Sequence, residues 1–449
     1  MNANLLSKGY KVMSKKIISR RSFLKSTAAT SLALPYICTA YSHAAPVSDK
    51  ITIGMIGVGR QGISSNIKAF LSMPDVRVVS VCDVDSWRQD NAVNAVNKYY
   101  GKNNKTGKAK SCRAYLDFRE LLAQKDIDAV MISTPDHWHA IMSIMAIKAG
   151  KDVSCEKPIT MTIEEGRIIS DTAKRYNKVF RTDSEFRSES NFHRAVELVV
   201  NGRIGKIHTI KTGVPFGDIA CGNEPDMAVP PDLNYDMWLG PAPVAAYTEK
   251  RVHPPRSYGR AGWMRVRDYC DGMVTNWGTH LNDIAQWGNG TERSGPVEVE
   301  GHGEYPKEGL WDVLLNFDIK YKFANGVKMT YKTDQPYTRF EGTKGWVHAD
   351  YPDKITASSD EILNSVIKPE EIHFPLKCEK RDFIDAVKTR GNTLEDAEVG
   401  HRTTSLCHLG HIAIQLGRKL QWNPDKEIFI NDAQANKMLS KSYRTPWKL

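Results

Sequence analysis

The chain has 449 residues, with 62 Lys and Arg against 52 Asp and Glu and a formal net charge of +10. That length suffices for two domains and a substantial core. The positive excess is local. The first 44 residues hold seven Lys and Arg and no acid, so 55 basic residues face 52 acidic ones in the rest, a net +3 that argues against nucleic acid as a partner.

The opening segment has the form of an export signal. Lys8, Lys11, Lys15 and Lys16 lead into Ser19-Arg20-Arg21-Ser22-Phe23-Leu24-Lys25, followed by a weakly apolar stretch from Ser26 to Ala40 and small residues at Ser42, Ala44 and Ala45. A basic region, a short apolar region and an A-x-A-like site together make a cleavable signal. The paired arginines before Phe-Leu-Lys resemble the bacterial twin-arginine type, so the expected partner is that export machinery and the expected location is the periplasm. Residues 1–44 are assigned to this signal. Seven cysteines lie beyond it, an odd number without a C-x-x-C pair, so neither a disulfide framework nor a zinc site is expected.

Residues 51–62 read ITIGMIGVGRQG. Ile51, Ile53, Met55 and Ile56 suit a strand buried on both faces. Gly57, Gly59 and Gly62 fall in the G-x-G-x-x-G spacing, with Arg60 and Gln61 in the same loop. The first glycine permits a tight turn, the second a close backbone approach to a pyrophosphate, and the third close packing of helix on strand. A helix from Gln61 to Leu71 would present its free N–H groups to the phosphates. A second apolar run from Val76 to Cys82 ends in Asp83, where a carboxylate binding ribose hydroxyls belongs. That carboxylate would repel a 2′-phosphate, so NAD is expected over NADP, although Arg88 lies close enough in sequence to receive such a phosphate.

Strand-helix alternation continues through Asp128–Ser133, His139–Ala149, Asp152–Glu156 and Ile163–Tyr176, which predicts a doubly wound parallel sheet of the Rossmann type over residues 50–180. Strand ends at the carboxyl edge line the ligand crevice of such a sheet. Thr134, Pro135, Trp138 and His139 lie at one of these ends, and Glu156-Lys157-Pro158 at another. From about residue 181 to 449 the texture becomes that of an α+β domain with a mostly antiparallel open sheet. Strands are expected at Ile207–Thr212, Val297–His302, Val313–Tyr321 and Val327–Thr333, with a type I′ turn at Asn325-Gly326. The segment from Gly217 to Arg260 is rich in Pro, Gly and Tyr with little periodicity, and is expected to cover a site. A late helix runs from Asp396 to Leu416.

Lys157 follows a buried strand, where partial removal from water lets a lysine exchange a proton near neutral pH. A surface lysine after a strand is the alternative. If Met273 to Trp287 is one helix, Asn276, His280 and Asp283 share a face, which suits a histidine that titrates beside a substrate. A buried, hydrogen-bonded histidine is the alternative there. His401, His408 and His411 also share a helical face, but no carboxylate or cysteine pair stands near them in sequence, and no metal is expected.

The fingerprint, Glu156-Lys157-Pro158 and the Gly272…Gly278-x-His280…Asp283 pattern together resemble the Gfo/Idh/MocA oxidoreductases from about Lys50 to the C-terminus. The secreted bacterial members are similar at Asp268-Tyr269…Thr275-Asn276-Trp277-Gly278 and at Gly400-His401-Arg402…Cys407-His408-Leu409-Gly410. The resemblance implies NAD(P) in the first domain, a sugar or cyclitol or an oligomer contact on the open face of the second sheet, and hence a homo-oligomer. It implies that Lys157 transfers the proton, that Lys157–Pro158 is cis, and that His280 is a second catalytic or substrate-orienting residue. Many relatives carry Asp where Asn276 stands, and asparagine cannot accept a proton. Trp138 and Arg265, with Trp263 and Arg267, are candidates for positioning a sugar, with core or surface packing as the alternative for each.

Export and cofactor together imply a tightly held nucleotide loaded before export. The expected activity is oxidation of a secondary hydroxyl of a sugar or glycoside, for instance C3, to a ketone. The alternative is a glycosidase that uses transient oxidation, elimination and re-addition, and a third possibility is a non-catalytic sugar sensor.

Overall fold

The computed structural model describes residues 50–103, 111–218 and 221–449. The expected export signal, residues 1–44, lies outside them. Among the described residues no helix is long and apolar enough to cross a membrane.

The first sheet has six parallel strands in the order β3-β2-β1-β4-β5-β6. They are β1 (Ile51–Ile56), β2 (Val76–Cys82), β3 (Arg113–Tyr115), β4 (Ala129–Ile132), β5 (Asp152–Glu156) and β6 (Phe180–Asp183). Alternate residues go to opposite faces. Ile53, Met55, Ala129 and Met131 enter one apolar cluster, and Ile56, Val130 and Ile132 enter the other. The helix His139–Lys148 covers the second face. The first face is covered partly by chain from far downstream, since Phe383, Ile384, Ala386 and Val387 of the helix Glu379–Thr389 pack there. The order of strands reverses between β1 and β4, which opens the ligand crevice at their carboxyl ends.

The strand β6 has little apolar signature because two of its four buried side chains, Arg181 and Asp183, are charged. Arg181 is fully buried, with Nε on Asp382 at 3.0 Å and Nη1 on Glu395 at 3.2 Å, and Lys380 Nζ lies 2.7 Å from Asp183. The partners come from some 200 positions away in sequence, so no local pattern announces the strand.

The second sheet has nine strands in the order β13-β12-β11-β7-β10-β9-β8-β14-β15. These are β7 (Ile207–Val214), β8 (Pro296–Glu304), β9 (Asn316–Phe323), β10 (Lys328–Thr333), β11 (Tyr337–Gly342), β12 (Gly345–Asp350), β13 (Lys354–Ala357), β14 (Leu420–Asn423) and β15 (Ile428–Phe429). All neighbours are antiparallel except β7 and β10. On β9, Phe317, Ile319, Tyr321 and Phe323 point into the core while Lys320 and Lys322 point out. The helices Ser190–Val200, Gly278–Asn289 and Ala397–Leu416 cover the inner face.

Two local expectations are corrected. The β9–β10 hairpin forms, but Gly326 alone has a positive φ there (88°), with Gly326 N on Phe323 O and Phe323 N on Val327 O. This is a bulged turn and not type I′, which needs positive φ at both central residues. The expected strand over Val313–Tyr321 begins only at Asn316, because Val313 turns to pack over the backbone of Gly272.

Candidate functional site

The glycine loop after β1 is built so that no side chain can enter it. Gly57 has φ +82°, and a Cβ there would lie 2.6 Å from the Ser133 carbonyl oxygen. A Cβ on Gly62 would lie 2.4 Å from the Gly57 carbonyl oxygen, so Gly62 sits behind the loop and permits its curvature. Gly59, Arg60 and Gln61 line the cleft in front. The carboxylate of Asp83 is held by two backbone N–H groups, Val58 at 2.8 Å and Asp85 at 3.0 Å, one on each oxygen. Each oxygen keeps a lone pair for a ligand hydroxyl. Burial pushes this carboxyl up, and the Arg88 guanidinium opposes that.

The segment rich in Pro, Gly and Tyr does cover this end, as its composition predicts. Ser86 N donates to Asp232 O at 2.8 Å and Asn234 N to Val84 O at 2.9 Å. His253 Nε2 lies 3.0 Å from Asp85, and Arg88 Nη2 donates to Ser257 O at 3.1 Å.

Toward the other end, Lys157 stands after β5 in a cis peptide bond to Pro158. Its Nζ donates to the backbone carbonyl of Asn276, in the second domain, at 2.7 Å. That bond explains a break in the expected helix. The sequence predicts one helix over Met273–Trp287, but it is divided into Met273–Asn276 and Gly278–Asn289. The Val274 carbonyl is taken by the Tyr331 hydroxyl at 2.7 Å and the Asn276 carbonyl by Lys157, so neither accepts its usual helical partner. His280 N bonds Trp277 O instead.

His280 is buried, with Nδ1 2.7 Å from Ser184 Oγ and 3.7 Å from a Glu185 carboxylate oxygen. Burial, reinforced by the charge of Lys157, lowers its pKa well below the ordinary histidine value, so the ring is neutral. The protein packed around Glu185 raises its carboxyl to about 6 against the pull of Lys157, although the side chain stays 42% exposed to the cleft. Asp136 is raised by burial to about 7, and one of its carboxylate oxygens is buried without a partner, as is Thr134 Oγ1. Glu156 is raised by burial and held by Asn66 Nδ2 at 2.9 Å.

The expected residues therefore meet in one cleft of about 550 Å³. Gly57, Gly59, Arg60, Gln61 and Asp83 line one end. Thr134, Pro135, Glu156, Lys157, Asn276 and His280 line the rest. His139 reaches the wall from behind, its ring nitrogens 2.6 Å from Pro158 O and 2.8 Å from Thr134 O.

Other candidates are placed differently. Trp138 borders the cleft, but it is 2% exposed, donates Nε1 to Trp238 O at 3.1 Å and packs edge-on to Trp447, so most of its ring is core. Arg265 is not among the lining residues; it bonds Asp218 at 2.7 Å and lies over Trp311. Asp283 follows His280 on the same helix but does not line the cleft, because Arg187 holds it in the core at 2.6 and 2.7 Å. The three late histidines are divided: His401 pairs with Glu427 at 2.7 Å, while His408 and His411 meet the two oxygens of Asp271 at 3.1 and 3.4 Å. Sequence reasoning missed Asp136, Glu185, Trp277 and Tyr351 as wall residues. Asp136 and Trp277 stood inside motifs already singled out, whereas Glu185 and Tyr351 follow strands whose ends carry no motif.

The cradle fits a dinucleotide: bare glycine backbone, a carboxylate with free lone pairs, and buried polar atoms awaiting partners. Comparison with known proteins agrees. Residues 51–184 match a family model described as an oxidoreductase family, NAD-binding Rossmann fold (GFO_IDH_MocA). Residues 211–449 match the C-terminal alpha/beta domain of the same family. A glycosyl hydrolase family 109 protein of Shewanella sp. (strain W3-18-1) is 34% identical over 223 residues, 46% of this chain and 45% of that protein. The chain thus spans about half the length of such relatives. An alpha-N-acetylgalactosaminidase of Shewanella oneidensis is 37% identical over 345 residues, 72% of this chain and 68% of that protein. Among solved structures, GenD2 from gentamicin A biosynthesis in complex with NAD superposes with a TM-score of 0.60 at 18% identity, covering 85% of this chain and 98% of that one. A levoglucosan dehydrogenase in complex with NADH and L-sorbose gives 0.60 at 17%, covering 83% and 99%. At these identities the two structures show a shared fold.

Proposed function

The chain belongs to the Gfo/Idh/MocA oxidoreductase family, and from that premise we propose that it oxidises a secondary ring hydroxyl of a sugar or glycoside, for instance at C3, with a nicotinamide dinucleotide that it retains. The observation that carries this reading is the convergence of Lys157 and His280, from two domains, in the cleft that the glycine loop closes at its other end. When bound, the dinucleotide supplies the hydride acceptor. The chain's own residues do the rest. The Gly57–Gly62 loop with Arg60 and Gln61 holds the phosphates, and Asp83 takes the ribose hydroxyls, which favours NAD over NADP. Lys157 accepts the proton leaving the substrate hydroxyl. The neutral His280, braced by Ser184, orients that hydroxyl, and Asn276, unable to take a proton, contributes hydrogen bonds only. Thr134 and Glu156 border the reacting end.

A second reading has a specific observation behind it, since the curated relatives are named as family 109 glycosyl hydrolases and an alpha-N-acetylgalactosaminidase. A ketone at C3 acidifies the neighbouring C–H, which permits elimination at the glycosidic bond and re-addition of water without net redox change. The two readings share their first step and the same residues. Export through the twin-arginine pathway to the periplasm, with the nucleotide loaded beforehand, and self-association through the open sheet face complete the proposal. Incubation with methyl glycosides, followed by product identification, tests it: a keto-sugar is the expected product, a free sugar with methanol moves the assignment to the glycosidase, and neither product contradicts both.

A further inference from the structure

One part of the cleft has no role in the chemistry just described. Beyond His280 the wall becomes aromatic. Phe186 stacks on His280 with ring centroids 4.4 Å apart and planes at 18°. Phe186 also lies parallel to Tyr351, at 5.5 Å and 1°. Trp277 meets Tyr351 at 5.2 Å and 87°, so two aromatic planes form a right-angled corner beside His280. Phe186 is buried, but Tyr351 is 44% exposed and Trp277 is half-buried, and both line the cleft. A large apolar ring left in water at a cleft mouth loses the burial that its neighbours enjoy.

The polar groups at the corner are carboxylates. Glu185 lies 3.7 Å from His280 with its side chain 42% exposed. Glu185 and Glu189 both act on the Tyr351 phenol, adding to the upward push of burial, and Asp353 acts on Glu189. Lys157 is the cation at the base. Aromatic faces receive the C–H faces of a pyranose, and carboxylates accept its hydroxyls. The same carboxylates repel an anionic ring and give nothing to a purely apolar group.

We propose that Trp277 and Tyr351, with Glu185, form a second subsite for an uncharged pyranose ring linked to the one that reacts at Lys157 and His280. The substrate bound most tightly is then a glycoside of at least two rings and not a free monosaccharide. This rests on the oxidation reading above for what happens at Lys157, but its test does not depend on turnover.

Isothermal titration of the nucleotide-loaded full chain would compare methyl α- and β-glucoside with maltose, cellobiose and 4-nitrophenyl glucoside, in the wild type, Tyr351→Ala, Tyr351→Phe and Glu185→Gln. The expected result is one disaccharide binding about tenfold more tightly than its methyl monosaccharide. Tyr351→Ala removes that advantage, Tyr351→Phe keeps most of it, and Glu185→Gln weakens the disaccharide more than the nitrophenyl glucoside. Equal affinity for one ring and two in the wild type overturns the proposal. So does an equal loss for both in Tyr351→Ala. Preference for the nitrophenyl compound with no response to Glu185→Gln also overturns it, because the corner then takes an apolar aglycone. If the binding pattern holds but no sugar reduces the nucleotide, the subsite stands and the oxidation reading fails.

Discussion

Lys157 Nζ donates to the backbone carbonyl of Asn276 at 2.7 Å, so the residue proposed to transfer the proton is tethered to the histidine-bearing segment of the other domain. The tether fixes this nitrogen beside His280 without consuming it, since a neutral amine that donates one N–H to Asn276 keeps its lone pair for the substrate proton. Lys157→Met is expected to lower the rate of the first hydride transfer by about 10²–10⁴-fold while leaving nucleotide bound. Single-turnover absorbance and nucleotide content after denaturation check the two halves. Unchanged turnover would remove Lys157 from the mechanism.

Glu185 gives a pH signature. Burial raises its carboxyl to about 6, and it faces Lys157, His280, Glu379 and Lys380. As pH falls through that value the carboxylate takes a proton and its hydrogen-bond acceptance at the cleft weakens. His280 stays neutral there, its own pKa being held far lower. The kcat/KM profile is therefore expected to have an acid limb near pH 6 that disappears in Glu185→Gln. Persistence of the limb in that variant would assign it elsewhere.

Asp83 is the residue we propose to set nucleotide choice. Asp83→Asn removes the charge that opposes a 2′-phosphate and disturbs the two backbone bonds that aim the carboxylate. NAD affinity is expected to fall about tenfold, with NADP nearly unchanged. Competitive loading of apo-protein with both nucleotides measures the ratio, and an unaltered ratio would leave Arg88 as the residue that decides.

Asp271 tests the scaffold. Burial pushes its carboxyl up, but His411 and His408 outweigh this and hold it far below the ordinary range. A depressed carboxylate contributes stability that is present above its unfolded pKa of about 3.9 and is lost as pH falls toward the folded value. Asp271→Asn is expected to cost about 3–5 kcal/mol at neutral pH, with the gap to wild type closing below about pH 4. Denaturant melts at several pH values check it. A gap that is constant down to pH 3 would show that the ion pairs contribute nothing.

The first sheet was legible because its strands are buried on both faces and so read as apolar runs ending at Asp83, Ser133 and Glu156. The glycine loop and Lys157 were legible for the same reason, since each stands at a fixed step from such a run, whereas His280 was legible from its helical spacing and from the family resemblance. What escaped depends on long-range partners. The strand β6 is held by Asp382, Glu395 and Lys380. The helix break at Trp277 depends on Lys157 and Tyr331, and Asp283 is kept from the cleft by Arg187, far away in sequence. Trp138 beside a strand end looked like a sugar platform, but its indole N–H is committed to Trp238. The actual aromatic wall joins Phe186, Trp277 and Tyr351, which no spacing rule brings together.

The central claim is that this chain retains a nicotinamide nucleotide and reduces it with a sugar. Protein purified without added nucleotide would be followed at the reduced-nicotinamide absorbance band while glucosides, galactosides and free sugars are added. A stoichiometric rise that stops after one turnover and resets when a keto-sugar is supplied is expected. Protein that carries no nucleotide and cannot be loaded with one would contradict the reading of Gly57 to Asp83 and everything built on it.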